Sequence, residues 1–264
     1  MKSRPRLMAF DLDGTLAESK QRLSDEMAEL LAQLLDKMPV AIMSGAGFAQ
    51  FEIQFLTVLP PHTHFERLYL FPTNAAQCYI YERGAWHPHY DHSFDPFQRA
   101  RILQALKEAL AETGQSEPPG EIWGERVEDR GAQITFSALG QEAPLEAKEQ
   151  YHRLHEDARD NLRVALTRRL PDFSVSEGGL TTVQINPKGN TKAYGIRQLI
   201  KLTGVSVSEM LYVGDALGEG GNDAVVKETG IRTVEVFGPA ETAEVIREIL
   251  SPEGEKAKYI TEEV

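Results

Sequence analysis

The sequence predicts an α/β protein whose main domain is a doubly wound parallel sheet, interrupted by an inserted α+β domain. Short, continuously apolar segments alternate with helix-patterned segments at both ends of the chain, which is typical of parallel strands buried on both faces. The middle instead contains strands in which apolar and polar residues alternate, typical of an antiparallel sheet. We therefore assign residues 1–85 and 187–264 to one domain and residues 86–186 to the insert.

The main domain is expected to begin with a buried strand at residues 7–10, LMAF. Residues 24–38 predict a helix because their leucines recur on one face, and Ser24 can cap its N-terminus. The elements that follow are a strand at 39–45, a helix at 48–59, and strand pieces within 67–86 around a Gly84 turn.

The insert is expected to open with a leucine-rich helix that ends at a Pro-Gly break. In "AQITFSAL", Ile134 and Phe136 fall on one face, and Gln133 and Thr135 fall on the other. Its remaining elements are one long charged helix at 145–170 and a strand at 181–187. The main domain then resumes with a helix at 190–202, a strand at 209–215, a helix at 222–230, a strand at 231–237, a helix at 239–250 and a loosely held polar tail.

Composition narrows the class of function. The net charge of −12 disfavours binding to nucleic acid or to anionic lipid, and no window approaches the ~20 apolar residues of a membrane span. The single cysteine, Cys78, excludes an internal disulfide and predicts a cytoplasmic location. The segment from His87 to His92 is interpreted as a solvated loop rather than a zinc site.

Two aspartates close the first strand. In an extended chain Asp11 and Asp13 point the same way, at the carboxyl end where doubly wound sheets bind ligands. Their mutual repulsion is tolerable if a divalent cation lies beside them and the substrate is an anion. Taken alone, the pair is also compatible with surface carboxylates or with the metal–nucleotide site of a glycosyltransferase.

A second acidic cluster follows another strand. Asp215 precedes a loop that contains Gly220 and leads to Asn222 and Asp223. An acidic turn with a helix cap is the alternative, but two acidic strand ends in one sheet favour a magnesium site. Ser44, at the end of the second strand, could hold a phosphate oxygen, although a simple turn serine has the same pattern.

A lysine completes the set of candidate residues. Lys192 stands just inside a predicted helix start, where it could neutralise a phosphoryl group. Lys188 is the rival, but it lies in the turn before the helix.

These residues occur in the order of the four motifs of the haloacid dehalogenase (HAD) superfamily: "FDLDGTL", Ser44, Lys192 and "GDALGEGGND". The placement of the insert resembles the C2-type cap (IIB) branch, and "RGAQITFSALGQ" resembles a cap strand of the eukaryotic-type phosphomannomutases and related sugar-phosphate phosphatases. The resemblance runs from about residue 6 to 250. It implies a Rossmann-like HAD core with an α+β cap, Mg²⁺ as the cofactor and a small phosphorylated metabolite as the substrate; a homodimer through the cap is a further expectation.

The resemblance also implies a role for each motif residue. Asp11 would attack phosphorus, and Asp13 would act as general acid and then as general base. Ser44, with Gly45 beside it, and Lys192 would hold the phosphoryl group. The implied metal ligands are Asp11, the Asp13 backbone carbonyl and Asp215, supported by Asn222 and Asp223.

The cap departs from the mutase pattern. Arg130 matches the first of several arginines that grip a second phosphate, but Gln141 and Lys148 stand at the next two positions. Thr182 and Gln184 replace the serine and aspartate that contact sugar hydroxyls. Because glutamine cannot clamp an anion as arginine does, we favour a Mg²⁺-dependent sugar-phosphate phosphatase over a phosphohexomutase, with a non-catalytic phosphosugar-binding protein as the third alternative.

Overall fold

The computed structural model describes residues 4–218 and 221–251. Gly220 of the acidic loop and the predicted polar tail from 252 onward lie outside the described residues. Two compact units are present: one runs up to Asp91 and resumes at Asn190, and the other is His92–Gly189. The first boundary lies six residues later than the sequence placed it, because the strand Ala85–Asp91 pairs within the large sheet. His87 and His89 are therefore exposed strand residues and do not belong to a loop.

The first unit contains a seven-stranded sheet in the order β11-β10-β1-β2-β3-β4-β5. Five neighbouring strands are parallel, and β4 and β5 add an antiparallel hairpin. This confirms the doubly wound α/β prediction. The strands are β1 (Leu7–Asp11), β2 (Val40–Met43), β3 (Leu68–Phe71), β4 (Gln77–Glu82), β5 (Ala85–Asp91), β10 (Met210–Gly214) and β11 (Arg232–Glu235).

Helices cover both faces of this sheet, and their ends follow local sequence signals. The Ser24 side chain accepts a hydrogen bond from the Met27 backbone N–H and so caps α1, as predicted. The other large helices of this unit begin at a threonine cap or at a proline. The helices are α1 (Asp25–Lys37), α2 (Phe48–Gln54), a short α3 (Pro72–Ala75), α7 (Lys192–Thr203) and α8 (Pro239–Leu250).

Two predicted helices are shorter or tighter than their patterns indicated. The segment expected as one helix over 48–59 divides into α2 and a 3₁₀ turn at Leu56–Val58. The segment after the acidic loop is a 3₁₀ helix, Ala224–Thr229, which ends at Gly230 as predicted. Both are short, and in helices of this length tertiary packing decides more than periodicity does.

The second unit is an α+β fold with a four-stranded antiparallel sheet in the order β6-β7-β9-β8. Ile134 and Phe136 face a buried core together with leucines of the helices, as the alternation predicted. The elements are α4 (Pro96–Glu112), β6 (Val127–Asp129), β7 (Ile134–Ser137), α5 (Leu145–Leu154), α6 (Ala158–Arg169), β8 (Phe173–Glu177) and β9 (Thr182–Pro187).

The prediction of one long charged helix over 145–170 is wrong. The chain breaks at His155, which leaves the helical region, and resumes as α6 after Asp157. The two halves have different surroundings: α6 buries Leu162 and Leu166, whereas α5 buries none of its residues. The break allows α6 to bury its leucines in the core, while α5 contributes only the partly buried Tyr151 to it.

Among the residues that the structure describes, none of the helices combines the length and the apolar character required to cross a bilayer.

Helix α7, which carries Lys192, packs closely against the loop after β3. A Cβ added at Gly195 would lie 2.8 Å from the Ala75 Cβ and 3.2 Å from the Met43 sulfur. Thr73, Asn74 and Ala75 of α3 all have positive φ, so α3 is a left-handed turn and not a regular helix. This turn, which forms the loop after β3, holds a strained conformation and has little freedom to retreat.

We therefore expect Gly195→Ala to destabilise the protein by about 1–2 kcal/mol, because the clash outweighs the gain in helix propensity. Urea unfolding would measure the change. Gly179→Ala is the matched control, since nothing lies within 4 Å of its added Cβ, and it should be neutral. A neutral Gly195→Ala would show that the two segments can separate without cost.

Candidate active site

The predicted core residues meet at the carboxyl edge of the large sheet. Asp11 pairs in register with Met43, so Ser44 follows directly on the neighbouring strand. On the other side of β1, Val213 pairs with Phe10, and Asp215 follows one residue after the end of β10. The parallel register thus places two acidic strand ends beside each other, as the sequence indicated.

Three carboxylates form the centre of this edge. Asp11, Asp215 and Asp223 each offer an oxygen, and these oxygens lie within 4.8 Å of one another. The Lys192 ammonium is buried and forms ion pairs with both Asp11 and Asp223. Lys192 is the first residue of α7, which Thr191 caps, so the helix start aims the lysine at the cluster. Lys188 is exposed and donates to the Pro171 carbonyl, so it is not the lysine of this site.

The charges in the cluster do not balance. Burial raises the pKa of Asp11 to about 7, against the lowering effect of Lys192, and Asp223 and Asp215 raise it further. Burial alone would lower the pKa of Lys192, but Asp11 and Asp223 hold it above its usual range, so the lysine stays charged. One ammonium faces three carboxyl groups, which leaves a net charge of −2 when all three are ionised.

The buried carboxylate of Asp223 is anchored by several donors. Its Oδ1 accepts from Lys192 and from the Tyr212 hydroxyl at 2.6 Å, and its Oδ2 accepts from the Ala216 backbone N–H at 3.3 Å. Asp215 is exposed and accepts from the Thr15 hydroxyl at 3.4 Å. Gly14 permits this approach, because its φ is +85° and an added Cβ would lie 2.5 Å from an Asp215 oxygen.

Asp13 lies in the turn that follows β1 and is not one of the three clustered carboxylates. Its Oδ1 accepts hydrogen bonds from the Lys20 backbone N–H at 2.6 Å and from the Gln54 side chain at 3.0 Å. Asp13 is half-buried, whereas Asp11 is 4% exposed. The two aspartates therefore have different surroundings although one residue separates them.

Ser44 is 2% exposed at the end of β2, and Gly45 follows it. The Ser44 Oγ accepts from the Ala46 backbone N–H at 3.0 Å, the pattern of a turn serine. A hydroxyl that accepts through its oxygen still carries one hydrogen to donate. The turn geometry and the predicted contact with phosphate are therefore compatible.

The predicted substrate residues of the insert all lie in the second unit. The Arg130 guanidinium donates to the Glu128 carboxylate at 2.6 Å and to the side-chain amide oxygen of Gln133 at 3.1 Å. Thr182 and Gln184 lie on β9, Lys148 lies on α5, and Gln141 follows β7. Gln133 also donates to Gln184 and Asn186, at 3.4 and 3.2 Å, so this face of the sheet carries neutral amides beside one arginine.

Of the predicted metal ligands, Asn222 is exposed on the loop just before Asp223. Oxygen donors in this number suit a hard divalent cation, and the net negative charge of the cluster is complementary to one. The residues at this edge therefore fit Mg²⁺.

No sequence motif pointed to three residues that hold the aspartates or the acidic loop in place: Tyr212, Glu235 and Gln54. Tyr212 is fully buried in β10, and its hydroxyl donates to Asp223 Oδ1. The Glu235 carboxylate accepts from the Leu217 and Gly218 backbone N–H groups at 3.1 and 3.0 Å and so holds the acidic loop. Gln54 is 1% exposed and bonded to Asp13. For Tyr212 the available signal was a hydroxyl in an otherwise apolar strand, whereas Gln54 and Glu235 stand among other polar residues and carry no such signal.

Comparison with known proteins identifies relatives along nearly the whole chain. A family model described as eukaryotic phosphomannomutase matches residues 27–252. Phosphomannomutase of Saccharomyces cerevisiae is 24% identical over 251 residues, which cover 93% of this chain and 94% of the relative. Phosphomannomutase 1 of Homo sapiens is 23% identical over 255 residues, which cover 94% of this chain and 93% of the relative.

Solved structures share the fold at lower identity. The C-terminal truncated IMP-nucleotidase of Plasmodium falciparum matches with a TM-score of 0.67 and 17% identity, covering 94% of this chain and 72% of the other. The C-terminal domain of Candida albicans trehalose-6-phosphate phosphatase matches with a TM-score of 0.61 and 18% identity, covering 94% and 93%. These likenesses show the HAD fold. Since the family model spans most of the sequence, this chain belongs to the eukaryotic phosphomannomutase family.

Proposed function

We propose that this chain is a Mg²⁺-dependent phosphohydrolase that acts on a small phosphorylated metabolite, a sugar phosphate, through an aspartyl-phosphate on Asp11. The observation that carries this proposal is the buried Lys192, paired with Asp11 and Asp223 at a sheet edge that also holds Asp215. A fixed cation beside a nucleophilic carboxylate is suited to an anionic phosphoryl group.

The metal would be held by Asp11, Asp215 and Asp223, with the Asp13 backbone carbonyl and Asn222 as the other predicted contributors. When bound, it would supply positive charge for a group that develops negative charge during transfer. The same charge would oppose the burial and the carboxylate repulsion that raise the pKa of Asp11 in the metal-free protein.

The residues of the chain divide the remaining chemistry. An Asp11 oxygen forms a bond to phosphorus while the bond from phosphorus to the leaving oxygen breaks, and Asp13 gives that oxygen a proton. Asp13 then removes a proton from water, whose oxygen attacks phosphorus, and the bond to Asp11 breaks to release phosphate. Ser44, Gly45 and Lys192 hold the phosphoryl oxygens during both steps.

Whether the phosphoryl group passes to water or to a sugar hydroxyl is expected to depend on the positive charges of the second unit. A mutase must hold a second phosphate while a bisphosphate reorients, and arginine suits that task best. At the predicted positions the chain has Gln141 and Lys148 instead of arginines. The mutase remains the second candidate, because the family that the chain belongs to carries that name.

One assay distinguishes the two candidates. A panel of hexose monophosphates with Mg²⁺, each with and without a hexose bisphosphate activator, would be scored for free phosphate and for the isomeric hexose phosphate. Phosphate release without the activator supports hydrolysis. Conversion of mannose 1-phosphate to the 6-phosphate with little phosphate released would establish the mutase.

We expect Arg130→Ala to lower kcat/KM for the sugar phosphate about tenfold or more and to change turnover of p-nitrophenyl phosphate less than about twofold. The arginine is predicted to recognise the substrate beyond its phosphate, and a small aryl phosphate lacks that part. Arg101→Ala, which removes an exposed ion pair with Asp172 in the same unit, is the control. Equal losses with both substrates would assign Arg130 a structural role.

The homodimer through the cap and the cytoplasmic location remain predictions from the sequence. Gel filtration and fractionation of cells would test them.

A further inference from the structure

Gln54 is a buried amide whose contacts lead to Asp13. It is the last residue of α2 and is 1% exposed. Its side-chain nitrogen donates to Asp13 Oδ1 at 3.0 Å, and its side-chain oxygen accepts from the Gln50 amide at 3.0 Å. A buried amide with both ends engaged holds one orientation, because each alternative would leave a polar group unsatisfied.

Gln50 determines which end of Gln54 faces the carboxylate. The two glutamines are four residues apart on one helix face, where side chains meet. Since the Gln54 oxygen accepts from Gln50, its nitrogen is the end that remains for Asp13. The reverse orientation would place an amide oxygen against a carboxylate oxygen, which is repulsive.

The two oxygens of Asp13 therefore differ. Oδ1 accepts from Gln54 and from the Lys20 backbone N–H at 2.6 Å, which occupies both of its lone pairs. A proton placed on Oδ1 would displace one of these donors. Oδ2 accepts no hydrogen bond from residues 4–218 or 221–251, so it is the oxygen that can take up and release a proton without breaking a bond to them.

We propose that Gln54 is a positioning residue that, oriented by Gln50, fixes the carboxyl plane of Asp13 and leaves Oδ2 to transfer the proton. The inference rests on the proposed function, in which Asp13 is the general acid and base. The family resemblance assigns no role to Gln54 or Gln50, and the sequence motifs did not include them.

The inference predicts that the effect of replacing Gln54 depends on the leaving group of the substrate. p-Nitrophenolate departs without a proton, whereas the alcohol of mannose 6-phosphate needs one, so only the second reaction requires a well-placed general acid. In Gln54→Met, single-turnover phosphorylation of the enzyme by mannose 6-phosphate should slow about tenfold or more. Phosphorylation by p-nitrophenyl phosphate should change less than about twofold.

A matched variant controls for the substitution itself. Gln33→Met removes a similar amide from an i, i+4 pair with Glu29 on the exposed face of α1, and it should leave both rates unchanged. Equal slowing of both substrates by Gln54→Met would mean that Gln54 merely supports the fold, and unchanged rates would mean that it positions nothing. Either result overturns the inference. Gln50→Met provides a second test, which applies even if Gln54→Met does not fold: a smaller loss limited to mannose 6-phosphate supports the inference, and its absence contradicts it.

Asp13→Asn separates failure of the inference from failure of the proposed function. If Asp13→Asn slows mannose 6-phosphate selectively and Gln54→Met does not, Asp13 is the acid and Gln54 does not position it. If Asp13→Asn shows no preference between the two substrates, the role of Asp13 is wrong and the inference is overturned with it.

Discussion

Replacing Asp11 with Asn is expected to reduce kcat by about three orders of magnitude or more while the protein stays folded. Asparagine has nearly the same shape but is a poor nucleophile at phosphorus. In wild type, burial holds the pKa of Asp11 near 7, so ionising Asp11 at pH 8 costs folding free energy in the metal-free protein. The variant avoids that cost, so its metal-free thermal midpoint at pH 8 should equal or exceed that of wild type.

The pH dependence gives this prediction a second measurement. A carboxyl group whose pKa is higher in the folded protein than in the unfolded chain makes stability fall as the pH rises from about 4 to about 7. This contribution to the metal-free unfolding curve should disappear in Asp11→Asn. The rise in midpoint on adding Mg²⁺ should also shrink, since one anionic ligand is lost. Undiminished phosphate release by the variant would contradict the aspartyl-phosphate intermediate.

Lys192→Met is expected to destabilise the metal-free protein by about 3–5 kcal/mol. The lysine is 1% exposed and supplies the counter-charge for Asp11 and Asp223, which the substitution leaves buried and facing each other. Urea unfolding with and without Mg²⁺ would measure the loss. Mg²⁺ should restore part of it, because a divalent cation neutralises the same carboxylates.

Lys188→Met is the matched control for this variant. Lys188 is exposed, and its substitution should change stability by less than about 0.5 kcal/mol. An equally small effect of Lys192→Met, or one that Mg²⁺ does not alter, would show that the lysine is not electrostatically coupled to the cluster.

The sequence predicted most of the fold because strand and helix periods differ and the caps are local. Ser24, Thr191 and Pro239 each begin a helix close to where the pattern placed it. The one long helix over 145–170 was wrong because charged residues carry no strong period, and only packing of Leu162 showed where the second half begins. The first unit extends to Asp91 because β5 pairs with β4, and the largely exposed residues of β5 carry no apolar pattern that would assign them to the large sheet.

The candidate site was predictable only where its residues stand in motifs. Asp11, Asp215 and Lys192 belong to strand ends or helix starts, and such positions can be read from one sequence. Gln54 donates a hydrogen bond to Asp13, 41 residues away, and Glu235 accepts one from Gly218, 17 residues away. No local sequence pattern specifies such distant pairs. The nearly complete burial of Lys192 could not be predicted either, since lysine is rarely buried without partners.

The insert separates neighbouring strands of the large sheet in the sequence, and this affects when each strand meets its partner during translation. Strand β1 lies between β2 and β10, and Leu7 pairs with Met210, so its second neighbour is synthesised about 200 residues later. At translation rates of roughly 5–20 residues per second, the ribosome needs roughly 10 to 40 s to supply it. The strands of the second unit, which is continuous in sequence, all emerge before β10. The β10-side edge of β1 therefore stays unpaired while the insert is synthesised, and an unpaired strand edge at this stage is a site at which chaperones would protect the nascent chain.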